Sequence, residues 1–170
     1  MKSYTFSKVS ARGYLTEADY NNKYIITEDL KLVLNMSDKR DLERMPFFKD
    51  RGIVVYNLPL TENDGDMGYK NFLFAVKHLM SRDHFGGRSL VCCDFGVNRS
   101  RTVIEGFHYA KMGWHFEDEY KGYTNHLVYN CENGHLPPLS EVELQLERLR
   151  NDYLRGDACW FEDLIRDGVI

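Results

Sequence analysis

Between Leu90 and Thr102 the chain reads Leu-Val-Cys-Cys-Asp-Phe-Gly-Val-Asn-Arg-Ser-Arg-Thr. An apolar run delivers Cys93. Five intervening residues later come Arg99 and the hydroxyl of Ser100, and the helix-patterned segment Thr102 to Met112 follows at once. Each of these groups suits a tetrahedral oxyanion. A guanidinium takes two oxygens at once, the first turn of a helix presents unpaired N–H groups, and Gly96 permits the curvature that turns successive loop N–H groups inward. Cations and N–H dipoles of this kind also make an electropositive setting for a thiolate nucleophile. Ser100 is placed to donate a hydrogen bond to that thiolate when it leaves. The chemistry on offer is nucleophilic attack by sulfur at the centre of a bound oxyanion.

The run Cys93-x-x-Gly96-x-x-Arg99-Ser100 resembles the signature of the cysteine-dependent protein tyrosine phosphatase superfamily, His-Cys-x5-Arg-Ser/Thr, and matches it from the cysteine onward. Chain length and element order resemble the compact dual-specificity branch, over about Leu30 to Met112. The resemblance implies catalysis by Cys93 and Arg99 with Ser100. It implies a phosphate-binding loop of Asp94, Phe95, Gly96, Val97, Asn98 and Arg99, a phosphocysteine intermediate, and no metal or other cofactor. It further implies a leaving-group acid on a mobile loop after the strand ending at Asn57. The segment Leu58 to Asp66 offers Glu62, Asp64 and Asp66, of which Asp64 best matches the family offset; the alternative for this segment is a solvated acidic turn that caps the next helix. One position departs from the signature: Cys92 stands where the family has a histidine that braces the loop. The resemblance then implies weaker activity or a higher pH optimum. Alternation along a strand points Cys92 away from Cys93, as a buried core residue.

The expected function is a protein phosphatase acting on phosphotyrosine, with phosphoserine and phosphothreonine as further substrates. The partner is then a phosphorylated protein or peptide. Two other substrates suit the same loop. An RNA 5′-triphosphatase shares Gly-x-Asn-Arg but works in basic surroundings, whereas this chain has a net charge of -4. An inositol-phosphate phosphatase carries loop lysines, where this loop has Asp94 and none. A non-catalytic phosphate-binding pseudophosphatase and a rhodanese-like sulfur transferase complete the alternatives; the Arg-Ser ending fits the phosphatase better than the latter. His126, Asn130, Cys131 and His135 lack regular metal-ligand spacing and read as satisfied structural polar groups. Glu117-Asp118-Glu119 reads as the acidic start of a helix.

The elements that must hold this loop follow from hydrophobic periodicity. Leu30 to Asn35, Ile53 to Leu60 and Ser89 to Cys93 read as buried strands, with Tyr4 to Val9 as an edge strand. Asp38 to Asp50 reads as a helix broken near Pro46, and Tyr69 to Arg82 as a helix. Alternating strands and helices give an α/β fold with a central, mostly parallel sheet flanked by helices. The later chain reads as helical: Phe116 to Tyr129, a loop over Asn130 to Leu139, a helix from Ser140 with Glu143 placed for a capping box, and Trp160 to Ile165. Tyr14 to Tyr24 reads as a pocket wall or a cover for the sheet edge. With 170 residues, 43% of them hydrophobic, one domain over 1–170 is expected. Four cysteines without metal or disulfide spacing, no signal-peptide pattern and no spanning segment suggest a reducing, cytoplasmic setting away from membranes. No basic run favours nucleic acid.

Overall fold

The computed structural model describes residues 4–39, 46–60, 66–96, 98–115 and 121–156. The expected strands form as β3 (Leu30–Asn35), β4 (Val54–Asn57) and β5 (Arg88–Cys93). They are all parallel, with β5 beside β3 and β3 beside β4. Two N-terminal strands, β1 (Tyr4–Phe6) and β2 (Val9–Gly13), complete a five-stranded sheet in the order β1-β2-β5-β3-β4. Only the β1–β2 pair is antiparallel. The α/β architecture with a mostly parallel sheet is therefore as expected.

The N-terminal expectation needs correction. Tyr4 to Val9 is not one edge strand: the chain turns at Ser7, whose φ is 57°, and β2 inserts beside β5 in parallel. The local pattern hid this because the buried face of β2 carries only Val9, Ala11 and Gly13, while Ser10 and Arg12 alternate with them. Small residues give a weak hydrophobic signal yet let neighbouring backbone approach closely.

The sheet separates two apolar clusters. On β5, Val91 and Cys93 join the larger one with Leu32, Leu34, Phe72 and Phe107, whereas Leu90 and Cys92 join Leu30, Val33 and Phe48 on the other face. This is the period of two at work. The region after β2 covers that second face: Leu15 is buried there, and Tyr20 stacks edge-on against Phe47 and Phe48.

A short 3-10 helix (Glu17–Asn21) and five α-helices, α1 (Pro46–Asp50), α2 (Asp66–Phe85), α3 (Arg99–Met112), α4 (Lys121–Glu132) and α5 (Leu139–Arg155), complete the described elements. Helix α3 is the central one, packed against α2, α4, α5 and the sheet. Gly106 permits the approach of α2, since a Cβ there would lie 2.5 Å from Phe72 Cζ.

Several helix bounds differ from the sequence reading. Of the helix expected over Asp38 to Asp50, only α1 falls among the described helices, with Pro46 at its first position, where a missing N–H costs nothing. Helix α3 starts three residues earlier than Thr102, at Arg99 itself. Helix α4 runs through Asn130 to Glu132, so Asn130 is helical and not in a loop. The Ser140–Glu143 capping box does not form: α5 begins at Leu139 behind Pro138, with no side-chain cap, and Glu143 instead lies 3.6 Å from His115 Nε2. The segments Glu117-Asp118-Glu119 and Trp160 to Ile165 lie outside the described residues. Among the described residues, no helix is long and apolar enough to cross a membrane.

Candidate active site

Strand β5 ends at Cys93, and α3 begins six residues later, so the intervening loop sits at the carboxyl edge of the parallel strands, where open α/β sheets bind ligands. Cys93 is 2% exposed, and its Sγ lies 3.2 Å from Ser100 Oγ in the first turn of α3. A thiol donates in that pair; a thiolate would accept from the hydroxyl instead. Cys92 points into the opposite cluster and is fully buried. Burial first, and the neighbouring Cys93 second, push the Cys92 thiol well above its usual range. It is chemically a core residue.

The loop leans on β2. Gly96 has φ of +70°, and a Cβ there would meet Gly13 N at 2.4 Å and Arg12 C at 2.7 Å. Both are backbone atoms of β2, so glycine is required by conformation and by space. The Tyr14 N–H also donates to Asp94 O at 3.3 Å, tying the end of β2 to the start of the loop. Phe95, 76% exposed, stands at the rim. Val97 lies outside the described residues.

Arg99 is held by carboxylates. Its Nη2 lies 3.0 Å from Asp94 Oδ2, and its Nη1 lies 3.8 Å from Asp38 Oδ1. Burial by itself would push the Asp94 carboxyl up. The hydroxyl of Ser37, which donates to Asp94 Oδ1, together with Arg99 and Lys39 outweighs that and holds it below the usual carboxylate range. Asp94 is therefore ionised and orients the guanidinium from within the same loop.

Sequence reasoning missed the β3–α1 connection that supplies Ser37 and Asp38. Buried Asn35 shapes it: its amide accepts from the Ser37 N–H at 3.0 Å and donates to Asn57 Oδ1 at 2.7 Å and to the carbonyl of Lys39. The available signal was a run of short polar residues at the carboxyl end of a parallel strand.

Of the three acid candidates, Glu62 and Asp64 lie outside the described residues, and Asp66 is the first residue of α2. The preceding backbone is well anchored. The Leu60 N–H donates to Met36 O at 3.1 Å, and the Met36 N–H donates to Cys92 O at 2.8 Å. The chain at Leu60 is thus tied through Met36 to the cysteine strand by two hydrogen bonds.

His126, Asn130, Cys131 and His135 supply no metal-holding group, and none occurs among the described residues. His126 Nε2 lies 3.3 Å from Arg101 Nη1; burial and that cation hold the imidazole below its ordinary pKa, so the guanidinium donates to a neutral ring.

No family model matches the chain, and no curated protein matches it by sequence. Solved structures do. PTPMT1 is 12% identical with a TM-score of 0.59, over 88% of this chain and 96% of that one. Human DUSP28 is 13% identical with a TM-score of 0.54, over 92% of this chain and 100% of that one. The core catalytic domain of the PP-IP phosphatase SIW14 from S. cerevisiae is 11% identical with a TM-score of 0.57, over 90% of this chain and 89% of that one.

The chain has the dual-specificity-phosphatase-like fold.

Within that fold the strand-end cysteine, the loop that follows it and the first turn of α3 stand together. Asp94 pairs with Arg99 there, and Cys92 sits in an apolar environment on the other face of the sheet.

Proposed function

We propose that this chain is a cysteine-dependent phosphomonoesterase acting on phosphotyrosine, and on phosphoserine or phosphothreonine, in a protein or peptide. The observation that carries the reading is the convergence of Cys93 Sγ, Ser100 Oγ and the Arg99-bearing start of α3 on one loop at the strand ends. The Cys93 thiolate attacks phosphorus; the S–P bond forms as the ester P–O bond breaks. Arg99 and the loop N–H groups hold the equatorial oxygens, where charge stabilisation is worth most. Asp64, with Glu62 and Asp66 as alternatives, gives its proton to the leaving oxygen. The resulting carboxylate then takes a proton from water, whose oxygen attacks phosphorus. The P–S bond breaks, phosphate is released, and the departing thiolate accepts a hydrogen bond from Ser100. No step calls for a metal, because positioning and fixed dipoles carry it.

A polyanionic substrate is the second reading, since one structural neighbour is described as a PP-IP phosphatase and PTPMT1 was solved with PI(5)P. Asp94 and Asp38 beside Arg99 oppose it, because each added phosphate group would face these carboxylates. A free thiol beside a second cysteine supports a reducing, cytoplasmic compartment.

Turnover of p-nitrophenyl phosphate and of a phosphotyrosine peptide tests the proposal. Cys93→Ser is expected to abolish both while orthophosphate still binds. Turnover that survives Cys93→Ser overturns the mechanism. Phosphate binding without any wild-type turnover identifies a pseudophosphatase instead.

A further inference from the structure

Helices α3 and α4 meet along a buried polar seam that the reaction above does not use. Its hub is Asn130 of α4, 1% exposed. Asn130 Nδ2 lies 2.7 Å from Asn98 Oδ1, 2.8 Å from Thr102 Oγ1 and 2.7 Å from His126 O. All three are acceptors here: the Thr102 hydroxyl spends its own proton on Asn98 O, at 2.8 Å. The other end of the amide, Oδ1, faces His135 Nδ1 at 3.2 Å, and the Asn130 carbonyl accepts the backbone N–H groups of His135 and Leu136, each at 3.0 Å. Asn130 is thus anchored to α4 and the following turn, and reaches across to the end of the phosphate loop.

What it reaches is the residue immediately before Arg99. Asn98 is the N-cap of α3, with φ of -127° and ψ of -73°, yet it makes no side-chain capping bond. Asparagine at an N-cap ordinarily turns its oxygen back onto the N–H groups of the first turn. Here that oxygen is engaged by Asn130 instead. The diversion keeps a carbonyl dipole away from the helix terminus that the candidate mechanism aims at the phosphoryl group.

We propose that Asn130 is a positioning residue for the loop: by holding the Asn98 side chain on α4, it fixes the backbone from which Arg99 and the first-turn N–H groups of α3 face the oxyanion. The inference rests on the phosphatase reading for its catalytic consequence, but its binding consequence stands without turnover. No local signal marks Asn130 in the sequence, since its partner Asn98 is 32 residues away.

A double-mutant cycle tests it. Asn130→Asp keeps the volume and replaces the donor with an acceptor facing Asn98. Asn98→Ala removes the partner, and the double variant combines them. Each is measured for kcat and KM on p-nitrophenyl phosphate, for orthovanadate inhibition, and for Tm. Loss of loop positioning predicts a fall in kcat of about 10- to 100-fold in each single variant, with vanadate weakened to a similar degree. The double variant should be little worse than the worse single one, because both cut the same link. Additive losses, or unchanged vanadate affinity in either single variant, overturn the proposal. If Asn130→Asp does not fold, Asn98→Ala alone decides, since it leaves the α4 partners in place: wild-type kcat and vanadate affinity in that variant overturn it. A wild-type protein that binds vanadate without turnover defeats the phosphatase reading, and the same cycle is then read on vanadate affinity alone.

Discussion

Replacing Gly96 by alanine isolates the contact between the loop and β2. Two costs follow from the geometry. The φ of +70° puts an L-residue in the left-handed region, at about 1–2 kcal/mol. The new Cβ would also lie 2.4 Å from Gly13 N, and that atom cannot rotate aside because it belongs to a paired strand. Ordinary carbon contacts begin near 3.4 Å, so relief requires the loop to withdraw by about 1 Å. The Tyr14 N–H to Asp94 O bond, already 3.3 Å, would then pass beyond hydrogen-bond reach. The same movement carries the oxyanion N–H groups away from Cys93, and a displacement of that size costs about 100-fold in rate. The expected result is a loss of about two orders of magnitude in kcat for p-nitrophenyl phosphate, with Tm lowered by several degrees. Two other glycines provide contrast. Gly113→Ala has a φ of +85° and no heavy atom closer than Arg150 Cζ at 3.4 Å, so it should cost stability without cost in activity. Gly106→Ala overpacks against Phe72 and should lower Tm, by about 1–3 kcal/mol of stability, with kcat within a few-fold of wild type. A Gly96→Ala protein with wild-type kcat would refute the argument that β2 positions the loop.

Burial pushes the Glu105 carboxyl up from its ordinary 4.5 to about 9, against the Leu127 and His126 backbone bonds and Arg101, which pull it down. The folded state therefore keeps a proton that the unfolded chain releases, so stability falls as pH rises from about 4.5 to about 9. Glu105→Gln should flatten the fall in Tm across that window, and parallel Tm curves for the two proteins would refute it. Cys92→Val should retain full kcat and most of the stability, within about 1 kcal/mol, as a conservative swap in an apolar cluster; loss of activity would give Cys92 a role beyond packing. In the wild type, iodoacetamide should leave Cys92 unmodified by peptide mass mapping, because burial keeps its thiol protonated. Asp94→Asn should raise turnover of an inositol polyphosphate relative to p-nitrophenyl phosphate. The gain should be on the order of fivefold to tenfold, the effect of removing one unit charge near an added phosphate at a dielectric between those of water and of a protein surface. An unchanged ratio would remove Asp94 from specificity.

The core of the fold was legible along the chain because its signals are local. Leu30 to Asn35 and Ser89 to Cys93 are strands by apolar run and length, and the alternation that sends Cys92 and Cys93 to opposite faces needs only a period of two. The spacing from Cys93 to Ser100 likewise announces a loop between a strand and a helix. What the pattern could not supply was adjacency. Strand β2 carries too little apolar surface to declare itself interior, yet its small residues are what admit Gly96. The approach of Asp38 to Arg99 depends on β3 lying beside β5, and the diversion of Asn98 depends on α4 packing against α3.

Local sequence therefore determined which groups could meet an oxyanion and on what kind of element each sits. Tertiary structure decided which carboxylates hold the arginine, which strand supports the loop and which side chain releases the cap of α3. The physical reason is that periodicity encodes a residue's own face, whereas a neighbour drawn from a distant element is chosen by burial of the whole chain.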